Sequence, residues 1–234
     1  MLSCLLRALA VLFCSNAAIA QMSGHVSLLS DYRYRGESLT DGRPAVQAGL
    51  AYDHASGLFL GALASNVRIE PTASGASGEI YGGYARSFGE RKSWEIGAVT
   101  YFFPRPLEPP DYDYSEVFVG ASVNWLSARL YYSADYFHSG AHAIYSELNM
   151  EQPLTEHVAM LGHVGYLQTG SPLHSASAER GGSLLDFMTG ISWNVSSFNV
   201  EFGVTGTIWR RDICPAGTGR CNTGAVVSVS RFFK

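Results

Sequence analysis

Period-two alternation of apolar and polar residues recurs in segments of about ten residues from Gln21 to the end of the chain, with no convincing helical period of 3.6 beside it. The stretch FNVEFGVTGTIW shows the pattern. Phe198, Val200, Phe202, Val204 and Ile208 fall on one side of an extended chain, and Asn199, Glu201, Thr205 and Thr207 on the other. The candidate strands are 22–35, 43–54, 57–68, 78–87, 93–103, 113–125, 127–137, 142–151, 155–168, 183–194, 197–209 and 222–233, about twelve in all. One all-β domain over residues 21–234 is expected.

The connections alternate in length. HASG (54–57), GERK (89–92), WLSA (125–128), PLTE (153–156) and NVSS (194–197) are tight. GESLTDG (36–42), EPTASGASG (70–78), PRPLEPPDY (104–112), TGSPLHSASAERGG (169–182) and RRDICPAGTGRC (210–221) are long and rich in Pro, Gly, Ser and charge, while HSGA (138–141) breaks the rhythm. Short turns at one end and long loops at the other are the pattern of an up-and-down antiparallel transmembrane β-barrel, and an even strand number puts both termini at the short-turn, periplasmic end.

Alternation alone does not say which face meets oil, since a soluble barrel turns its apolar face inward and a membrane barrel turns it to lipid. Width helps decide. Eight strands are near the limit for an interior that side chains can fill, so about twelve enclose a lumen more easily kept polar and wet. Val117, Val119, Ala121, Val123 and Trp125 oppose Glu116, Gly120, Ser122 and Asn124, and Leu185, Phe187, Ile191 and Trp193 oppose Asp186, Gly190, Ser192 and Asn194. With Tyr32, Tyr34, Tyr52, Tyr101, Tyr136 and Tyr166 near strand ends, these Trp residues read as belts at the two lipid–water boundaries. The apolar face is therefore assigned to lipid, and the sheet must close, because an open edge in hydrocarbon leaves backbone groups unpaired.

The opening MLSCLLRALAVLFCSNAAIAQ carries Arg7, an apolar run from Ala8 to Cys14 and an Ala18-Ile19-Ala20 ending, so residues 1–20 read as a secretory signal peptide. Its removal leaves Cys214 and Cys221 as the two thiols of an exported chain, and a disulfide closing CPAGTGRC is expected. Too few nitrogen or sulfur ligands lie near them for zinc. The net charge of -4 is mild, and past residue 20 no run is long and apolar enough for a spanning helix.

The stretch SDYRYRGESLTDGRPAVQAGLAYDHASGLFLGALASNV (30–67) resembles the opening repeat of the TorF-like family of proteobacterial outer-membrane porins. The shared features are an aromatic-Arg-Gly motif at Tyr34-Arg35-Gly36, an Asp-Gly-x-Pro turn at 41–44 and a Gly-aliphatic-aromatic strand, followed by GEIYGGYARSFG and EIGAVTYFFP. The resemblance covers about the first half of the mature chain and implies a porin without implying a substrate. Two features depart from it. The chain ends Phe232-Phe233-Lys234, one residue beyond the aromatic that commonly serves barrel assembly, and the loop between Cys214 and Cys221 is not a general family trait.

Carried through the first strand, the alternation turns Val26, Leu28, Tyr32 and Tyr34 outward and Asp31, Arg33 and Arg35 into the lumen. Asp53, Glu79, Glu116, Arg129, Asp135, Glu147, Asp186 and Glu201 join them by the same rule, whereas the third and ninth strands alternate too ambiguously to assign His163 or Asn66. Charges of both signs at a constriction set ion preference, and the acidic excess favours cations, unless the charges simply pair and hold the wall in shape. The Pro-rich FFPRPLEPPDYDY (102–114) suits either a loop folded over the mouth or a plain external loop. His138, Ser139 and His142 do not make a hydrolase, because neighbours on a strand point to opposite faces, and two His do not make a metal site.

The expectation is a porin-like channel in the outer membrane of a Gram-negative bacterium, monomeric or a trimeric homo-oligomer, passing small hydrophilic solutes or ions by diffusion. It would need no cofactor and no catalytic residue. Its partners would be outer-membrane lipid, those solutes and the barrel assembly machinery, with no nucleic acid. The rivals are a plugged barrel acting through its external loops, with a lumen filled by Tyr, Phe and paired charges, and a secreted soluble β-protein.

Overall fold

The computed structural model describes residues 21–68, 74–104, 112–170, 182–211 and 222–234. The expected signal segment, most of the 102–114 loop, and Cys214 and Cys221 lie outside them. Twelve strands close into one antiparallel barrel: β1 (Gln21–Leu29), β4 (Ala45–Asp53), β5 (Leu58–Arg68), β6 (Ser74–Ser87), β7 (Lys92–Phe102), β8 (Tyr114–Val123), β9 (Leu126–Ser133), β10 (Ala143–Pro153), β11 (Val158–Thr169), β12 (Ser183–Val195), β13 (Phe198–Arg211) and β14 (Gly224–Phe233). Each pairs with its chain neighbour, and β14 returns to β1 from Gly24↔Phe233 to Leu29↔Ser228, so no sheet edge is left open. Where Leu185 faces Trp209 and Asp186 faces Thr207, Ile208 bulges out of β13.

The turn rhythm is present in the backbone. Tight turns join β4 to β5, β6 to β7, β8 to β9, β10 to β11 and β12 to β13, using left-handed residues such as Gly57, Asn124 and Ser196. The pairing of Gln21 with Asp53 puts the start of β1 at this short-turn end, where β14 also finishes. The outer face is apolar from rim to rim. Val117, Val119, Leu130, Leu148, Phe202 and Val229 are exposed across its width, with Tyr52, Trp94, Trp125 and Trp193 near the short-turn rim and Phe102, Tyr132 and Tyr166 toward the other.

Two segments depart from the sequence reading. Strand β9 ends at Ser133, not at 137; the chain then passes through a 3-10 turn at Tyr136–His138, with Phe137 and His138 left-handed. The connection is therefore 134–142, which removes the HSGA exception: it is another long loop.

The larger departure is at 30–44. Instead of continuing outward, the chain turns into the barrel and forms a small hairpin, β2 (Arg33–Tyr34) with β3 (Glu37–Ser38). Arg35 and Gly36 are its two turn residues, with φ of 49° and 77°, the left-handed pair that a two-residue hairpin needs. Asp31 fastens its base by accepting hydrogen bonds from Ser38 Oγ at 2.5 Å and Thr40 Oγ1 at 3.0 Å. Tyr32 and Tyr34 consequently point into the protein. Tyr101 and Tyr136 are buried inside as well, so of the six tyrosines expected in the belts only Tyr52 and Tyr166 stand outward. The lumen expected to be wet is instead packed around this hairpin by Tyr34, Tyr101, Tyr114, Phe118, Tyr131 and Tyr145. Twelve strands leave more room than side chains fill, and here a piece of main chain takes up the excess.

Candidate functional site

The hairpin tip reaches across the lumen. An added Cβ on Gly36 would stand 2.7 Å from both Asp186 Cβ and the carbonyl oxygen of Gly206, so the tip lies flush against β12 and β13. Arg35 points the other way. Its Nη2 donates to Glu116 Oε2 on β8 at 2.6 Å, with side-chain exposures of 4% and 0%, and Nη1 donates to the Tyr136 hydroxyl at 3.4 Å. The guanidinium also lies 4.0 Å from the Tyr145 ring centroid and 4.9 Å from that of Tyr34. A planar cation sandwiched by rings and paired with a carboxylate suits arginine better than lysine. Arg33 ties the hairpin to the chain entering β14: Nε donates to Asp31 Oδ2 at 2.7 Å, Nη1 to the carbonyl oxygens of Gly36 and Asn222, and Nη2 to Asn222 Oδ1 at 2.8 Å.

Two further polar clusters line the wall. Arg129 Nε donates to Glu95 Oε1, Arg129 Nη1 donates to the Tyr131 hydroxyl at 3.3 Å, and that hydroxyl donates to Glu147 Oε1 at 3.4 Å. Next to it along β10 and β11, His163 is fixed between Asn149 Oδ1, 2.6 Å from Nδ1, and Asp186 Oδ1, 2.7 Å from Nε2. The Tyr145 hydroxyl donates to Asp186 Oδ2 at 3.1 Å across Gly165, where any side chain would collide with that hydroxyl. Glu201 accepts from Ser228 Oγ at 3.5 Å.

Of the charged residues assigned to the lumen from the sequence, Asp31, Arg33, Arg35, Glu79, Glu116, Arg129, Glu147, Asp186 and Glu201 face inward, and Asp53 lines a cavity at the short-turn rim. Arg33 and Arg35 do so from the hairpin and not from a wall strand. Asp135 does not face inward. It lies beyond the end of β9, half exposed, where Oδ1 accepts from the Gly140 N–H and Oδ2 sits 3.4 Å from His138 Nδ1. Sequence reasoning missed Glu95 and left His163 unassigned. The phase of exposed Trp94 and Ile96 on β7 would have turned Glu95 inward. For His163 no such signal existed, because the inward neighbours Leu161 and Leu167 are as apolar as the outward Met160 and Val164. Asn66 stands outward, its Oδ1 accepting from the Val46 N–H.

Among the described residues, small cavities flank the hairpin. A cavity of about 70 Å³ lies between the hairpin tip and the wall at His163, Asp186 and Glu201, and others of about 50 Å³ and about 30 Å³ lie on the Glu79 side.

Residues 15–206 match a family model described as "Bacterial protein of unknown function (Gcw_chp)". The chain belongs to this family. Membership of the Gcw_chp family brings no substrate with it, and the TorF-like designation expected from the sequence is not the description under which the match is made. No curated protein matches the sequence significantly. Among solved structures this Gcw_chp chain is similar to the KdgM porin, at 11% identity over 92% of this chain and 100% of that one, with a TM-score of 0.50. The NanC porin gives 11% identity, the same coverages and a TM-score of 0.52. An outer membrane channel from Pseudomonas putida F1 gives 10% identity over 93% and 97%, with a TM-score of 0.51. At these identities the likeness is one of fold: a closed antiparallel barrel of the outer-membrane porin type.

Proposed function

We propose that this Gcw_chp protein is a porin-like channel of the outer membrane of a Gram-negative bacterium, exported by cleavage after residue 20, through which small hydrophilic solutes or ions diffuse along a lumen narrowed by its own hairpin. The observation that carries the reading is an inward file of ionisable side chains, from Asp53 at one rim through Glu79 and Glu147 to the hairpin, inside a wall that is apolar outside. A barrel that served only as an anchor would need no such file.

The charge inside favours cations. Arg33, Arg35 and Arg129 each hold a carboxylate within ion-pair distance, while among the described residues Glu79 and Glu147 face the lumen with no salt bridge. The KdgM porin has been solved with disordered oligogalacturonate, an anionic sugar chain. The described lumenal arginines are each paired with a carboxylate, so small cations and neutral solutes suit this lumen better. Lipid meets the outer face, and Phe233, exposed at the end of β14, is offered to the barrel assembly machinery.

The filled lumen favours a second reading, the plugged barrel that acts through its external loops. Planar-bilayer recording of the refolded protein in a salt gradient separates the two. Small, cation-selective steps support the channel; silence from a folded barrel supports the plug.

A further inference from the structure

Glu79 is the buried carboxylate that the lumenal pairing leaves over. Arg35 takes Glu116, Arg33 takes Asp31 and Arg129 takes Glu95, while Asp186, Glu147 and Glu201 accept hydrogen bonds from Tyr145, Tyr131 and Ser228. Glu79 is 8% exposed and, among the described residues, has no hydrogen bond or ion pair. A carboxylate so placed is costly unless it takes a proton or some further charge answers it.

The space for that charge is present on both sides. Toward the short-turn rim Glu79 borders the cavity of about 30 Å³ walled by Phe59, Tyr81, Phe118 and Arg129, the last paired with Glu95, and reaching Asp53. Toward the hairpin it borders the cavity of about 50 Å³ walled by Tyr32, Tyr34, Gln47 and Glu147, with Arg33 and Arg35 also on its lining, each already paired with a carboxylate. Each has room for a few water-sized particles. Gln47, 2% exposed, carries an amide nitrogen with no partner.

We propose that Glu79 is a binding station for one small monovalent cation, an alkali metal ion or ammonium, held partly hydrated between these two cavities. Its carboxylate supplies the charge, waters on the ion accept from Gln47 Nε2, and the faces of Phe59 and Tyr81 add their quadrupoles. A divalent ion, which calls for six or more oxygen ligands or a rigid octahedral shell, finds too few here. Asp53 at the rim and Glu79 at the centre then form two successive acidic steps on one side of the hairpin. The transport half of the proposal rests on the channel reading above; the binding half does not.

The test uses full-length barrels, with folding checked by heat-modifiable migration, and compares wild type, Glu79→Gln and Glu79→Asp. In bilayers, Glu79→Gln lowers the cation-over-anion permeability ratio about fivefold or more, the worth of one charge at about 4 Å under water-like screening. Glu79→Asp keeps most of it. In detergent, wild type broadens the sodium-23 resonance, Glu79→Gln does not, and potassium or ammonium displaces the broadening from wild type. A silent barrel with Glu79-dependent broadening upholds the site and sinks the channel reading. Currents of unchanged selectivity in Glu79→Gln, or sodium broadening in wild type that neither potassium nor ammonium displaces, overturn the proposal.

Discussion

The latch between Arg35 and Glu116 joins the hairpin to β8, and cutting it from either end has a calculable cost. The pair is 2.6 Å long with side chains 4% and 0% exposed, so its members are almost wholly removed from solvent. Removing one partner of such a pair costs about 3–5 kcal/mol, because the survivor is left buried and uncompensated. Arg35→Met also gives up the contact at 4.0 Å over Tyr145, worth about 1–2 kcal/mol more when desolvated. Glu116→Met strands the Arg35 guanidinium in the same way, at about 3–5 kcal/mol. The double variant Arg35→Met/Glu116→Met removes both charges together, and apolar replacement of a whole buried pair is often close to neutral. The two single costs sum to about 7 kcal/mol or more while the double variant keeps only the lost ring contact of about 1–2 kcal/mol, so the cycle gives a coupling of about 5 kcal/mol or more, read from reversible urea unfolding in detergent or lipid. Single variants within about 0.5 kcal/mol of wild type, and strictly additive, would show that the latch carries no charge coupling and refute the reasoning.

Gly36→Ala forces a side chain onto a left-handed backbone and into Asp186 Cβ at 2.7 Å; unfolding in urea should register a loss of about 1–3 kcal/mol, and a neutral result would mean the tip is not seated there. Phe202→Arg puts a charge on the outer face, where Phe202 is 52% exposed opposite Ile191 and Val227; in lipid vesicles it should cost about 2–4 kcal/mol, and a cost near zero would contradict the assignment of this face to lipid.

The wall was legible in the sequence because its signals are local. Alternation on β13, with Phe202 out and Glu201 in, reports the two faces directly, and turn residues such as those at HASG fix where strands reverse. The hairpin was illegible for the same reason: a strand that leaves the wall keeps its period of two. Ser30 to Tyr34 alternates as well inside the lumen as it would in the wall, and Arg-Gly is a weaker turn signal than Asn-Gly or Asp-Gly. Tyrosine compounds the ambiguity. Tyr101 fills the interior while Tyr166 stands outward, and sequence position near a strand end does not separate them. Long-range pairings such as Arg35 with Glu116, 81 residues apart, follow from the hairpin and could not be read without it.

The central claim is that the hairpin sets the bore. Replacing residues 32–41 by a short Gly-Ser linker, with the barrel otherwise whole, and recording single channels beside wild type tests it most directly. The account predicts steps severalfold larger than those of wild type, with weaker ion selectivity; steps of unchanged size from the folded variant would contradict it.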